Sequence, residues 1–178
     1  MSLYDMKQQS IEHRIIINNA GLVLLWPYLP AFFNELGLTK DEKFISKNDA
    51  IRAAWLLEYL VTGQEHNNEN DIALNKLLCN IFTVPVPKKH LELTYPEIKE
   101  AEDLLTAVIH HWKSIAHSSV KGFRESFLNR EGELIFGSEA VILRVDKNAL
   151  DILLDQLPWS IAIIQLTWME KPITVEWR

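Results

Sequence analysis

A chain of 178 residues, 48% hydrophobic and 24% charged, has room for one domain or at most two small ones and lies far from the composition of disorder. Its formal net charge is −6, with Lys and Arg scattered among acids, which argues against nucleic acid as a partner because phosphate binding needs clustered cations. The longest apolar run, "AGLVLLWPYLPAFF", falls short of the roughly twenty residues a membrane-spanning helix needs, and the single Cys79 permits neither an internal disulfide nor a thiolate cluster.

The N-terminal "MSLYDMKQQSIEHR" is polar, without the basic-then-apolar layout of a secretory signal, so the expected location is cytoplasmic and residues 1–13 are expected to be flexible. Ile15 to Ile17 are β-branched and suit an extended strand, after which Asn18 or Asn19 would cap a helix through Leu36. Pro27 and Pro30 should make that helix kink or restart, and Gly37 should end it. Apolar on nearly every side, it belongs at the centre of a domain.

"KNDAIRAAWLLEYLVTG" reads as a second helix, capped by Asn48 or Asp49 and closed by Gly63. "QEHNNEN" is a loop, and Leu74, Leu77, Leu78 and Ile81 mark a short helix that holds Cys79 as a small buried hydrophobe. "TVPVPKKH" should run extended across the surface. Thr94 and Glu97 have the spacing of a capping box, and the apolar stripe from Ile98 to Trp112 predicts an amphipathic helix of about four turns. "SSVKGFRESFLNR" predicts another, with Val120, Phe123 and Phe127 on one side.

Here the period changes from helical to alternating. Residues 133–146 read as a β-hairpin with Gly137-Ser138 in a type II′ turn. Leu150, Leu153, Leu154 and Leu157 form one more helical stripe, stopped by Pro158, and "SIAIIQLTW" and "ITVEW" read as two further strands. The fold class is therefore α+β: one mainly helical domain over 1–178, with five or six helices and a small antiparallel sheet from the C-terminal third.

No phosphate loop, metalloprotease helix, nucleophile elbow or Cys-x-x-Cys is present. His110, His111 and His117 lie close in sequence. Helical geometry would put His110 and His117 on the order of 10 Å apart along the axis, too far for one metal to bridge. "SSVK" matches Ser-x-x-Lys without the companion motifs of penicillin-recognising enzymes, and Ser118 or Ser119 reads better as a helix cap. Glu125, Glu131 and Glu133, with Arg124 and Arg130, read as surface pairs. No catalytic, cofactor-binding or metal residue is assigned, and no cofactor is expected.

Seven strings in order, "NAGLVLLWPYLPAFFNELGL", "LLEYLVTG", "LNKLLCNI", "AEDLLTAVIHHWKSI", "SVKGFRESFLNREGEL", "LRVDKNALDILLDQLPW" and "LTWMEKPITVEW", make the chain resemble the contractile injection system tape measure proteins from about Asn19 to Trp177. The resemblance implies a non-enzymatic assembly role in a phage-tail-like bacterial particle, with tube or baseplate subunits as partners and tube length as the property controlled. Family members are longer, so this chain is expected to be a globular terminal region or a short relative, with any ruler lying outside it.

The C-terminal stretch places Trp159, Trp168 and Trp177 within twenty-one residues that carry no chemistry. Core filling is one explanation. A docking face for another particle subunit is the other, because tryptophan buries much area with few rotatable bonds. Two rival functions remain: a peptide- or ligand-binding module using a groove beside Ala20–Leu36, lined by Trp26, Phe32 or Phe33, and a metal-dependent hydrolase built on the histidines.

Overall fold

The computed structural model describes residues 13–65, 72–87 and 92–177. Strand β1 (His13–Ile17) leads into a 3-10 helix (Ala20–Tyr28), which gives way to α1 (Leu29–Glu35) where the two prolines interrupt the hydrogen-bond ladder. A small hairpin follows, β2 (Thr39–Lys40) and β3 (Lys43–Phe44), and then α2 (Lys47–Thr62), α3 (Ala73–Leu78) and α4 (Tyr95–His111). The short α5 (Val120–Phe123) widens into a π-helical turn (Arg124–Leu128). Strands β4 (Gly132–Phe136) and β5 (Val141–Val145), a 3-10 helix (Ala149–Gln156), β6 (Ile163–Ile164) and β7 (Ile173–Glu176) complete the chain.

The expected α+β class is the one observed, and the sheet shows how it is assembled. Its order is β1-β4-β5-β7-β6. Ile15 sits opposite Leu134, and Leu134 opposite Leu143, so alternate residues from both ends of the chain form one apolar face against the helices. The sheet therefore extends beyond the C-terminal third by recruiting β1. It also contains one parallel pair, β5 with β7. Residues 146–172 supply the long crossover that parallel pairing requires.

Helix ends follow local chemistry, with some reassignments. Gly37 and Gly63 have φ of 71° and 68°, the left-handed geometry of a helix stop. Ser46, rather than Asn48 or Asp49, caps α2 by accepting from the Asp49 amide. Asn19 occupies the cap position of the first 3-10 helix, but its amide donates to Asn75 Oδ1 at 2.7 Å, a tertiary contact in place of a cap. The Thr94–Glu97 capping box forms as expected. Ser119 caps α5 through the Gly122 amide.

The hairpin turn differs from the expected type. Phe136 pairs with Val141, so the connection is the four-residue loop 137–140, and Gly137 has no positive φ, which a II′ turn would demand. Of "SIAIIQLTW", only Ile163–Ile164 pairs as a strand, because the tryptophan contacts described below hold the rest. The flexible segment expected over 1–13 lies outside the described residues except for His13, which opens β1, as do most of "QEHNNEN" and the end of "TVPVPKKH".

The first 3-10 helix occupies the centre. Leu22, Val23, Leu24 and Leu25 are all fully buried, as its apolar surface on every side requires. Its N-terminus touches the π-helical turn backbone to backbone: the Ala20 amide donates to the Arg130 carbonyl at 2.9 Å, and a Cβ on Gly21 would lie 1.7 Å from the Phe127 carbonyl oxygen. Neither backbone can yield without breaking the turn.

Gly21→Ala should therefore destabilise the protein by about 3 kcal/mol or more. Gly37→Ala, with open space around it, should cost only the left-handed backbone penalty of about 1–2 kcal/mol. Urea unfolding of the two variants beside the wild type measures the difference.

Candidate protein-interaction site

The C-terminal segment after β5 has little regular structure, and polar anchors fix it instead. Asn148 and Asp151 open the 3-10 helix Ala149–Gln156 with a capping box: Asn148 Oδ1 accepts from the Leu150 amide, and Asp151 accepts from the Asn148 amide at 3.0 Å. The same carboxylate takes both arms of the Arg130 guanidinium, at 2.7 and 3.0 Å, with side-chain exposures of only 6% and 4%. Arg130 also donates to the Asp146 carbonyl and lies over the Trp177 ring, 5.1 Å from its centroid.

Burial alone would raise the Asp151 pKa. The Arg130 hydrogen bonds and the Asn148 amide outweigh it and hold the carboxyl below its usual range. Trp177 Nε1 meets no acceptor in hydrogen-bonding geometry, yet the indole still biases Asp151 toward its charged form. Arg130 is thus an interior residue, contrary to its reading as a surface pair. Arg124 departs similarly: it donates to the Leu60 carbonyl at the end of α2 and to Glu102 at 2.7 Å, and lies over the Tyr59 ring. Glu133 and Glu125 do form surface pairs, but with Arg14 and Arg144 and with Lys121 rather than with Arg124 or Arg130. The signal for Arg130 was the Asn-x-x-Asp spacing at 148–151, which marks Asp151 as a fixed carboxylate.

The three candidate tryptophans have different placements. Trp159 is half-buried; its Nε1 donates to the Leu24 carbonyl at 3.0 Å and its ring meets Tyr28 edge-on at 5.4 Å. Trp168, also half-buried, donates to the Leu78 carbonyl at the end of α3 and packs on Phe33 and Phe44. Trp177, immediately after β7, is buried. Trp26 makes the reciprocal contact, donating to the Ser160 carbonyl at 2.9 Å. Indole N–H groups thus tie the irregular segment to backbone carbonyls of the helical layer.

Trp159 and Trp177 come together in one open cleft of about 350 Å³, with Leu154, Leu157, Ile161 and Val175 as its apolar lining. Trp168 lies apart from it. The 3-10 helix Ala149–Gln156, whose Leu154 lines the cleft, turns Leu150 and Ile152 outward, Ile152 being 66% exposed. Periodicity alone does not single out these two: it groups Leu150 with Leu153, Leu154 and Leu157 in one helical stripe and leaves Ile152 outside it, whereas Leu150, in the first turn of the helix, is 43% exposed.

A second concavity, about 340 Å³, runs between α1 and α4 beside the apolar helix. Phe32 and Leu104 form its floor with Tyr28 and Ala31, and Glu35, Glu100 and Asp103 edge it. Of the aromatics expected there, only Phe32 lines it. Phe33 is fully buried, and Trp26 is engaged with Ser160. At one end, Tyr28 and His111 share a hydrogen bond of 2.6 Å. His110 and His117 are exposed, and no group of three or more His, Cys, Asp or Glu among the described residues could hold a metal. Cys79 is buried in the core, and burial pushes its thiol far up.

Asp151→Asn keeps the shape of the clamp but leaves the buried guanidinium without its counter-charge, so stability should fall by about 3–5 kcal/mol. Asp151 and Glu97 both have folded pKa values below their unfolded ones. Their contribution is complete above the ordinary carboxylate range near pH 4 and is lost as the pH falls below it. Thermal melts between pH 6 and pH 2, on the order of the range needed to titrate both groups, should show that loss, and the Asn variant should show a shallower one.

No curated protein and no solved structure matches the chain significantly. Among the described residues, no helix is long and apolar enough to cross a membrane. A family model, described as contractile injection system tape measure protein, matches residues 4–177. With nearly its whole length inside that match, the chain belongs to the contractile injection system tape measure family.

Proposed function

We propose that this protein is a non-enzymatic assembly component of a contractile injection particle, and that it acts by gripping tube or baseplate subunits. The family match over residues 4–177 carries this reading. The geometry supports it: the ion pairs Arg130–Asp151 and Arg52–Glu97 serve the fold, and the C-terminal third turns apolar side chains toward solvent. The docking face runs over the Trp159 and Trp177 cleft and takes in the exposed Leu150 and Ile152 of the 3-10 helix that also lines it, with Trp168 as a separate aromatic anchor. Assembly takes place in the cytoplasm, before the particle is complete. These residues contribute contact rather than span, since even a fully helical chain of this length would reach only about 270 Å.

The tryptophans divide by role under this reading. Trp177, beneath Arg130, serves stability; the exposed edges of Trp159 and Trp168 and the side chains of Leu150 and Ile152 serve binding. Co-expression with the tube and baseplate subunits of its particle tests the assignment. Leu150→Asp/Ile152→Asp should melt within a few degrees of the wild type (~0.5 kcal/mol per exposed site) and lose co-purification with one of those subunits. Trp177→Ala should melt much lower, by ~3–5 kcal/mol of stability. If the Asp double variant co-purifies as well as the wild type does, the docking face lies elsewhere.

A further inference from the structure

The groove between α1 and α4 is separate from the aromatic cleft and has a different chemistry. Its floor is apolar, with Phe32 and Leu104 beneath and the small exposed Ala31 leaving room above. Its edges are acidic on both sides, with Glu35 from α1 and with Glu100 and Asp103 from α4. Asp103 is paired to Lys99 one helical turn away. Among the described residues, neither Glu35 nor Glu100 has an ion-pair partner, and no Lys or Arg lines the groove. Lys99, paired with Asp103, adds only a through-space attraction to Glu100, and apolar ground flanked by carboxylates without an ion-pair partner is complementary to an apolar side chain flanked by cations.

We propose that this groove is the docking site for a short basic amphipathic helix of a partner protein. The observation that selects this occupant is charge complementarity: Glu35 and Glu100 face the groove from opposite walls, so cations on both flanks of one apolar stripe meet a carboxylate each. A helix fits better than an extended strand because the walls are themselves helices with no free sheet edge between them. A third helix seated on Ala31 and Leu104 would complete ordinary ridge-and-groove packing. The contact length is set by α1, whose seven residues span roughly 10 Å, or two turns. Small cations lacking an apolar face would gain only the screened surface attraction.

The test uses the full chain and a synthetic, end-blocked Leu/Lys amphipathic peptide of about fourteen residues, roughly four turns, followed by fluorescence anisotropy. The peptide should bind the wild type, and a Leu/Glu peptide of the same pattern should not. Glu35→Lys/Glu100→Lys should weaken binding by about tenfold or more. Glu131→Lys/Glu139→Lys, which changes the net charge equally at exposed sites that do not line the groove, should leave it near wild type. Ala31→Trp, which fills the floor without altering charge, should also abolish binding; this arm stands if the charge-reversed pair folds poorly by circular dichroism. Failure of the Leu/Lys peptide to bind would overturn the proposal. So would equal weakening by both charge-reversed pairs, or displacement of the peptide by spermine at matched charge. None of these outcomes depends on the aromatic cleft, so loss of the tube or baseplate contact there and loss of peptide binding here are independent results.

Discussion

Close contact between two backbones organises this protein. The start of the central 3-10 helix lies directly against the π-helical turn, with Gly21 under the Phe127 carbonyl and the Ala20 amide bonded to Arg130. A widened turn is uncommon and marginal by itself. Here its closing bond, from the Asn129 amide to the Arg124 carbonyl, is supported by both side chains. Asn129 donates to the Arg124 carbonyl and to Val61, while Arg124 reaches the end of α2. The turn therefore joins the central helix, α2 and the first strand of the hairpin at one point. A side chain at position 21 would force those three elements apart together.

From that junction the chain continues directly to Arg130, and the second organising contact follows from the first. The turn delivers a guanidinium into the interior, where it must find a counter-charge or be expelled. Asp151 supplies the charge while completing its own capping box, and Trp177 covers the pair. One buried ion pair thus sets the position of a 3-10 helix and the end of the last strand. Between those fixed points, indole N–H groups secure the backbone to helical carbonyls at Leu24 and Leu78. The connection between β5 and β7 is consequently ordered by side-chain anchors more than by ladder hydrogen bonds. This arrangement leaves its apolar residues free to point either way.

Under the proposed assembly role, rigid and distinguishable surfaces matter more than reactive groups. The two concavities supply such surfaces, with contrasting chemistry. One is aromatic and aliphatic and lies on the anchored C-terminal segment; the other is apolar with acidic margins and lies between helices. Surfaces of different character can hold different partners, or different parts of one partner, without competition. Among the described residues Glu35 and Glu100 have no ion-pair partner, whereas Glu97, Glu102 and Glu133 are paired within the fold.

Local chemistry was legible in the sequence wherever it was self-contained. The Thr94–Glu97 box, the stops at Gly37 and Gly63, the restart forced by Pro27 and Pro30, and the alternation of β5 each depend on neighbours within one or two turns. The family strings were legible for the same reason, being contiguous. Tertiary structure alone decided that Asn19 bonds Asn75 instead of its own helix, that Arg130 lies inside, and that β7 runs parallel to β5. It also decided that Trp159 and Trp177 share a cleft which Trp168 does not enter. Each of these joins residues far apart in the chain, and each was settled by whether a buried donor, acceptor or charge could find its complement, a condition that spacing along a sequence does not encode.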